Sequence, residues 1–234
     1  MQSKAIVAVC IFVLLGMVAC NGSQSKERNQ AATSSETPPA ATPASPPSES
    51  DARPVIVAFG DSLTQGVSGK SYPAFLQDRL DRAGYHYRVD NQGVAGDTTA
   101  DGLARIDNVI AEKPALVVLE FGGNDGLRGV PVDSTRKNLD EMIRKFKTAS
   151  IPVVLAGITL PPNYGPDYVK PFTAIFPDLA KKYHLRYIPF LLQHVYSDPN
   201  LMQPDGIHPN QAGNEIVAKD VFDLIQPMLA KPQK

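Results

Sequence analysis

Short apolar runs recur along the chain at intervals that leave room for one helix between each pair. Val55-Ile56-Val57-Ala58-Phe59, Tyr87-Arg88-Val89-Asp90, Leu116-Val117-Val118-Leu119-Glu120-Phe121 and Val153-Val154-Leu155-Ala156-Gly157 are rich in strand formers, and several are apolar at nearly every position. Unbroken apolarity of this length fits parallel strands covered on both faces. Tyr187-Ile188-Pro189 is a shorter fifth candidate. Between these runs, helical spacing predicts helices over Tyr72 to Ala83, Thr98 to Lys113, Asp133 to Ala149, Pro171 to Tyr183, and Pro209 to Met228. Strand and helix alternate, which predicts an α/β three-layer sandwich with a parallel sheet and right-handed crossovers. In such sheets the ligand sits beyond the carboxyl ends of the strands.

The first fifth of the chain lacks this pattern. Lys4 precedes an apolar run from Ala5 to Val18, the length of a signal-peptide core and short of the ~20 residues that span a bilayer. A signal peptide over residues 1–19 is expected. Met17-Val18-Ala19-Cys20 resembles the lipobox of bacterial lipoproteins, which implies cleavage before Cys20 and acylation of that cysteine. The chain would then be anchored by lipid to a membrane facing the periplasm or exterior. Ordinary cleavage after Ala19 would release a soluble periplasmic or secreted protein instead. From Asn21 to Arg53 the residues are mostly Ser, Ala, Thr, Pro, Gln and Glu, with Pro38-Pro39 and Pro46-Pro47 favouring extended backbone. Residues 20–53 read as a disordered tether, able to reach roughly 100 Å at ~3.1 Å per residue.

Residues 54–234 remain as the folded body, enough for one domain with a sizeable core. With 23 Lys+Arg against 24 Asp+Glu, the chain has no basic footprint for nucleic acid. Both cysteines, Cys10 and Cys20, fall before the body. That leaves the body without a disulfide, a thiolate nucleophile or a zinc-binding thiol. A monomer is the default expectation.

Four blocks carry chemistry. Gly60-Asp61-Ser62-Leu63 follows the first strand, and Asp205-Gly206-Ile207-His208-Pro209 opens the last helix. Together they supply a nucleophile, a base and a carboxylate to fix the base's tautomer. Gly93-Val94-Ala95-Gly96-Asp97 and Gly122-Gly123-Asn124-Asp125 follow the second and third strands. With the Ser62 N–H they offer the Gly96 N–H and the Asn124 side-chain amide to charge developing on a carbonyl oxygen. Taken alone, Ser62 reads as a helix cap or turn residue, and Asp205 as a cap of the last helix. Gly93, Gly122 and Gly123 read as residues of tight turns. His86, His184 and His194 have no partner pattern and read as surface residues.

The four ordered blocks resemble those of the GDSL, or SGNH, hydrolases, over Val55 to about Leu229. The resemblance implies Ser62 as nucleophile, Gly96 and Asn124 as oxyanion residues with Ser62, and Asp205 and His208 as the rest of a triad. It also implies a flavodoxin-like five-stranded parallel sheet, no metal or other cofactor, and activity on esters, thioesters or lysophospholipids. Gly126 to Gly129 resembles a mobile loop that closes over acyl chains. Thr64 stands where Ser is common. The α/β-hydrolase elbow is disfavoured, because Ser62 lacks its flanking glycines two residues to either side.

Leu127, Leu160, Pro161, Tyr164 and Phe190, with Leu191 and Tyr196, fall in post-strand loops and are candidates for an acyl groove. An acetyl esterase acting on glycans is the alternative substrate reading. Asp61, Asp97, Asn124, Asp125, Asp205 and His208 are also hard ligands that would suit Mg²⁺ in a phosphoesterase. A binding lipoprotein without catalysis would be marked by loss of Ser62 or His208, and both are present.

Overall fold

The computed structural model describes residues 51–230. The expected signal peptide, Cys20 and most of the tether lie outside the described residues. Among the described residues no helix is long and apolar enough to cross a membrane.

Strands β1 (Val55–Gly60), β2 (Arg88–Gly93), β3 (Leu116–Glu120), β4 (Val153–Ala156) and β5 (Arg186–Ile188) form one parallel sheet in the order β2-β1-β3-β4-β5. The composition of each strand explains its place. β1, β3 and β4 are apolar and almost wholly buried, as central strands must be. Val57 lies opposite Val117, and Val118 opposite Val154, so β-branched side chains stack across the centre. β2, with the sequence RVDNQG, is half-buried at one edge, and the short β5 begins with exposed Arg186 at the other. The polar end of β2 carries no apolar signal, so the strand runs three residues beyond the Asp90 that the apolar pattern predicts.

Among the described residues seven α-helices connect and follow the strands: α1 (Ser62–Gln65), α2 (Tyr72–Arg82), α3 (Thr99–Ala111), α4 (Gly123–Leu127), α5 (Val132–Thr148), α6 (Pro166–Tyr183) and α7 (Gln211–Ile225). α2 packs against α7, while α3 packs on α5 and α5 on α6. Right-handed crossovers put the first pair on one face of the sheet and the three others on the opposite face. The α5 residues Leu139, Met142, Ile143 and Phe146 are buried at helical spacing. Phe146 meets Phe59 of β1 edge-on at 6.1 Å, and Phe59 meets Phe121 at 5.0 Å. The three-layer, flavodoxin-like sheet expected from the sequence is the one observed.

Two helix starts differ from expectation. α6 begins at Pro166, five residues before Pro171, because Gly165 turns the chain at φ +81° and Pro166 occupies the first helical position. Pro171 and Pro177 lie inside the helix, where the buried Phe172, Ile175, Phe176 and Leu179 offset the lost hydrogen bonds. α7 starts at Gln211 rather than Pro209, since Asn210 is its cap and accepts from the Gly213 N–H at 3.1 Å. Asp205 and His208 therefore precede the helix instead of opening it.

The strand order reverses between β1 and its neighbours, so the chain leaves β1 toward β2 on one side and returns to β3 on the other. This opens a crevice at the carboxyl ends of β1 and β3. The short helices α1 and α4 occupy that edge.

Candidate active site

Ser62 is the first residue of α1, immediately after β1. Asp61 caps this helix, its Oδ1 accepting from the Leu63 N–H at 3.0 Å. The two glycines that close β1 and β2 make the turn possible by close approach. A Cβ on Gly93 would stand 2.1 Å from the Gln65 nitrogen, and one on Gly60 would stand 2.2 Å from Thr64 Oγ1. Gly93 is thus a contact residue under α1 rather than the turn glycine it resembled.

The other half of the site comes from the loop before α7. Met202 pairs with Pro209 in an antiparallel bridge, and the Gln203 N–H donates to the His208 carbonyl at 2.8 Å. Between them Gly206 turns the chain at φ +68°. Asp205 Oδ1 accepts from the N–H groups of Ile207 and His208 at 2.9 and 3.0 Å, and Oδ2 lies 2.7 Å from His208 Nδ1. His208 Nε2 lies 2.8 Å from Ser62 Oγ. Residues 146 positions apart are thereby joined into one hydroxyl–imidazole–carboxylate series. The pattern assigns the Nδ1–H tautomer, with Nε2 free to accept the serine proton.

Burial pushes the Asp205 carboxyl up, but hydrogen bonds from the His208 backbone and ring and the Ile207 backbone outweigh it and hold the group down at about 2. The carboxylate beside His208 stays charged in any physiological medium. Asp61 behaves oppositely: burial, only partly offset by its hydrogen bonds, raises it to about 6.

The loop after β2 brings Gly96 to the same edge at φ +86°, a conformation suited to glycine. Arg128 donates to its carbonyl at 2.8 Å, fixing the orientation of that residue from the end of α4. Neither Ser62 nor Gly96 has a hydrogen-bond partner for its N–H among the described residues. Asn124 sits between the serine turn and this loop. Its Nδ2 donates to Asp61 Oδ2 at 3.1 Å and to the Asp97 carbonyl at 2.9 Å, so both amide hydrogens already have acceptors. To donate to an oxyanion it must release one of them.

The remaining acidic residues are structural ties. Asp97 pairs with Arg105 at 2.8 Å. Asp125 accepts from the N–H and hydroxyl of Thr99 and from the Thr135 hydroxyl, locking α3 to α5. Asp61, Asp97, Asp125 and Asp205, named above as possible Mg²⁺ ligands, each have at least one carboxylate oxygen bonded to a protein partner. Among the described residues no three His, Cys, Asp or Glu side chains gather as a metal site.

Beside Ser62 lies an apolar cleft of about 70 Å³ lined by Leu63, Leu127, Leu160, Pro161, Phe190 and Ile207, among others. Four of the five expected groove residues are there. Tyr164 is not; its hydroxyl donates to the Leu127 carbonyl at 3.2 Å and buttresses the rim. Tyr196 joins the lining, whereas Leu191 is fully buried core. Gly126 and Leu127, expected in a mobile loop, belong to α4, with the turn confined to Arg128-Gly129. A larger depression of about 430 Å³ lies at the amino ends of β4 and β5, away from this chemistry.

Several contributors had no motif to announce them. Arg105 donates to Asp97, to the Gln92 carbonyl at 2.9 Å and to the Gly60 carbonyl at 3.0 Å, and stacks over Phe59 at 4.5 Å. Glu120 is wholly buried behind Ser62; a charge inside an otherwise apolar strand was its one visible signal. His194, read as partnerless, lies 2.7 Å from Asp220 of α7, a pairing that only the fold creates.

Comparison with known proteins identifies the family and the fold. The chain is 40% identical to the esterase TesA of Pseudomonas aeruginosa over 178 residues, covering 74% of this chain and 89% of that protein. It is 36% identical to the thioesterase 1/protease 1/lysophospholipase L1 of Escherichia coli K12 over 178 residues, covering 74% and 84%. The crystal structure of TesA superposes with a TM-score of 0.71 at 40% identity, covering 75% of this chain and 99% of that one. That of AlinE4, an SGNH-hydrolase family esterase, gives 0.63 at 40% identity, covering 76% and 97%. Residues 58–216 match the GDSL-like lipase/acylhydrolase family, and the chain belongs to it.

Proposed function

We propose that this protein is a serine esterase and thioesterase that cleaves acyl esters through an acyl-Ser62 intermediate. The observation that carries the reading is the continuous contact from Ser62 Oγ to His208 to Asp205, beside two N–H groups with no partner among the described residues. Ser62 Oγ attacks the substrate carbonyl while His208 Nε2 takes its proton. Asp205 holds the ring and stabilises the imidazolium that forms. The carbonyl oxygen, now negative, is met by the N–H groups of Ser62 and Gly96. Asn124 adds a third donor once its amide turns from the Asp97 carbonyl. His208 returns the proton to the leaving alcohol or thiol, then deprotonates the water that releases the acid. Relatives named as an esterase and as a thioesterase and lysophospholipase support both bond types.

The cleft lining is apolar, which suits an acyl chain. Its volume of about 70 Å³ is small beside the roughly 300–1,000 Å³ usual for ligand sites. A chain of more than a few carbons would therefore lie along the open rim, over Leu127 and Ile207, which are 36% and 41% exposed. The same small volume favours a second reading, an acetyl esterase. Rates on p-nitrophenyl esters of increasing chain length, beside acyl-CoA, lysophospholipid and acetylated glycan, separate the two. Turnover of short to medium chains and of thioester, abolished in Ser62→Ala, is expected; an acetyl-only profile would overturn the acyl-chain assignment.

We further propose export through residues 1–19, lipid on Cys20 and a tether ending near Arg53, an arrangement that would hold this activity at a membrane. Incorporation of labelled palmitate, lost in Cys20→Ser, tests that arrangement against a freely soluble exported enzyme.

A further inference from the structure

Beneath the serine turn lies an acidic side chain that the chemistry above does not use. Glu120 ends β3 and is 0% exposed. Its Oε2 accepts from the Asp61 N–H at 3.2 Å and from the Thr64 hydroxyl at 2.9 Å. Those two donors bracket Ser62-Leu63. The Tyr72 hydroxyl lies 3.4 Å from Thr64 Oγ1 and closes the far side. A Cβ on Gly60 would stand 2.5 Å from Glu120 Oε2, so glycine there is what admits the carboxyl under the turn.

α1 is four residues long, too short to persist by its own hydrogen bonds. Asp61 caps its start, while buried Leu63 and Gln65, which accepts from the Ala95 N–H and the Asn91 amide, hold its far end; Glu120 grips the turn around Ser62 from beneath. We propose that Glu120 is a positioning residue for Ser62: its carboxyl clamps the residues on both sides of the nucleophile and thereby sets the Oγ against His208. The inference rests on the reading of Ser62 as nucleophile. The clamp is the uncharged acid. Glu120 Oε1 has no partner among the described residues, and a carboxylate with one oxygen sealed from water and unpaired is strongly disfavoured. Burial, and then the Asp61 carboxyl beside it, push Glu120 well above the usual carboxylate range. A neutral acid still offers Oε2 as an acceptor, which is all the two donors require.

Glutamine keeps that acceptor without any possibility of charge, and alanine removes it. In the full-length chain, Glu120→Gln is expected to keep kcat on p-nitrophenyl butyrate, and the fluorophosphonate labelling rate, within about threefold of wild type. Glu120→Ala should lower both by about ten- to a hundredfold with KM within about twofold, the signature of a displaced nucleophile. Thr64→Val removes one of the two donors and should give a smaller fall in kcat. Labelling of Glu120→Ala at the wild-type rate would overturn the clamp, as would Glu120→Gln being as slow as Glu120→Ala. Should Glu120→Ala lose its native circular dichroism, Thr64→Val decides, and a wild-type rate there overturns the proposal. A wild-type chain that labels at a residue other than Ser62 would sink the nucleophile reading and the clamp together. Labelling at Ser62 with rates indifferent to residue 120 would sink the clamp alone.

Discussion

Replacing Arg105 by Met tests whether the site is held together by a single guanidinium at the sheet edge. Arg105 donates to the carbonyls of Gly60, the last residue of β1, and Gln92, the next to last of β2, and to the Asp97 carboxylate beside Gly96. Methionine can keep much of the stacking over Phe59 and Phe121 but none of the three hydrogen bonds. The Arg105 and Asp97 side chains are only 24% and 15% exposed, so water replaces them poorly. At ~1–1.5 kcal/mol for each bond, and allowing for partial rehydration, the loss is about 2–4 kcal/mol of stability. With a slope of roughly 2 kcal/mol/M, the urea midpoint should fall by about 1–2 M. The Gly96 loop loses its tie to β1 at the same time, so kcat on p-nitrophenyl butyrate should drop about ten- to a hundredfold. Arg105→Lys should recover little, because one ammonium cannot reach three acceptors set around a planar fork. An Arg105→Met chain with unchanged urea midpoint and kcat would refute this account of the edge.

Further consequences can be measured in the same preparations. Asp205→Asn keeps an acceptor for the Ile207 and His208 amides but disrupts the Nδ1–H tautomer, and kcat should fall by about 10²–10⁴, read from ester hydrolysis at constant pH. The pKa of Asp61 rises on folding from 3.8 to about 6, so its folded form binds the proton more tightly. Its contribution to stability is fully present below pH 3.8 and lost as pH passes about 6; urea titrations of Asp61→Asn should show a flatter fall across that window. Gly93→Ala drives a Cβ into the backbone of Gln65 and Thr64, which has no room to yield, and should cost about 1–3 kcal/mol together with much of kcat. Thermal melts and single-point rates on that variant are sufficient to check both effects.

The sheet was legible because burial on both faces writes itself as unbroken apolar runs, and β1, β3 and β4 have that character. The candidate site was legible for a different reason. Each of its blocks follows a strand or precedes a helix, so the fold itself carries Ser62, Gly96, Asn124 and His208 to one edge. What the sequence hid is whatever depends on distance alone. Nothing local marks Arg105 as the donor to two strand ends and a loop, or His194 as a partner of Asp220 twenty-six residues away. The start of α6 was hidden because prolines at 166, 171 and 177 all resemble helix beginnings, and only Gly165 with its positive φ selects the first. The Asn124 amide shows the same limit at finer scale, since its residue type suits an oxyanion while its present acceptors are Asp61 and Asp97.

Mass spectrometry of the chain after reaction with a fluorophosphonate addresses the central assignment most directly. The account predicts one adduct, on the peptide containing Ser62, absent in Ser62→Ala and formed far more slowly in His208→Ala. An adduct on a different side chain, or ester hydrolysis that persists in folded Ser62→Ala, would contradict it.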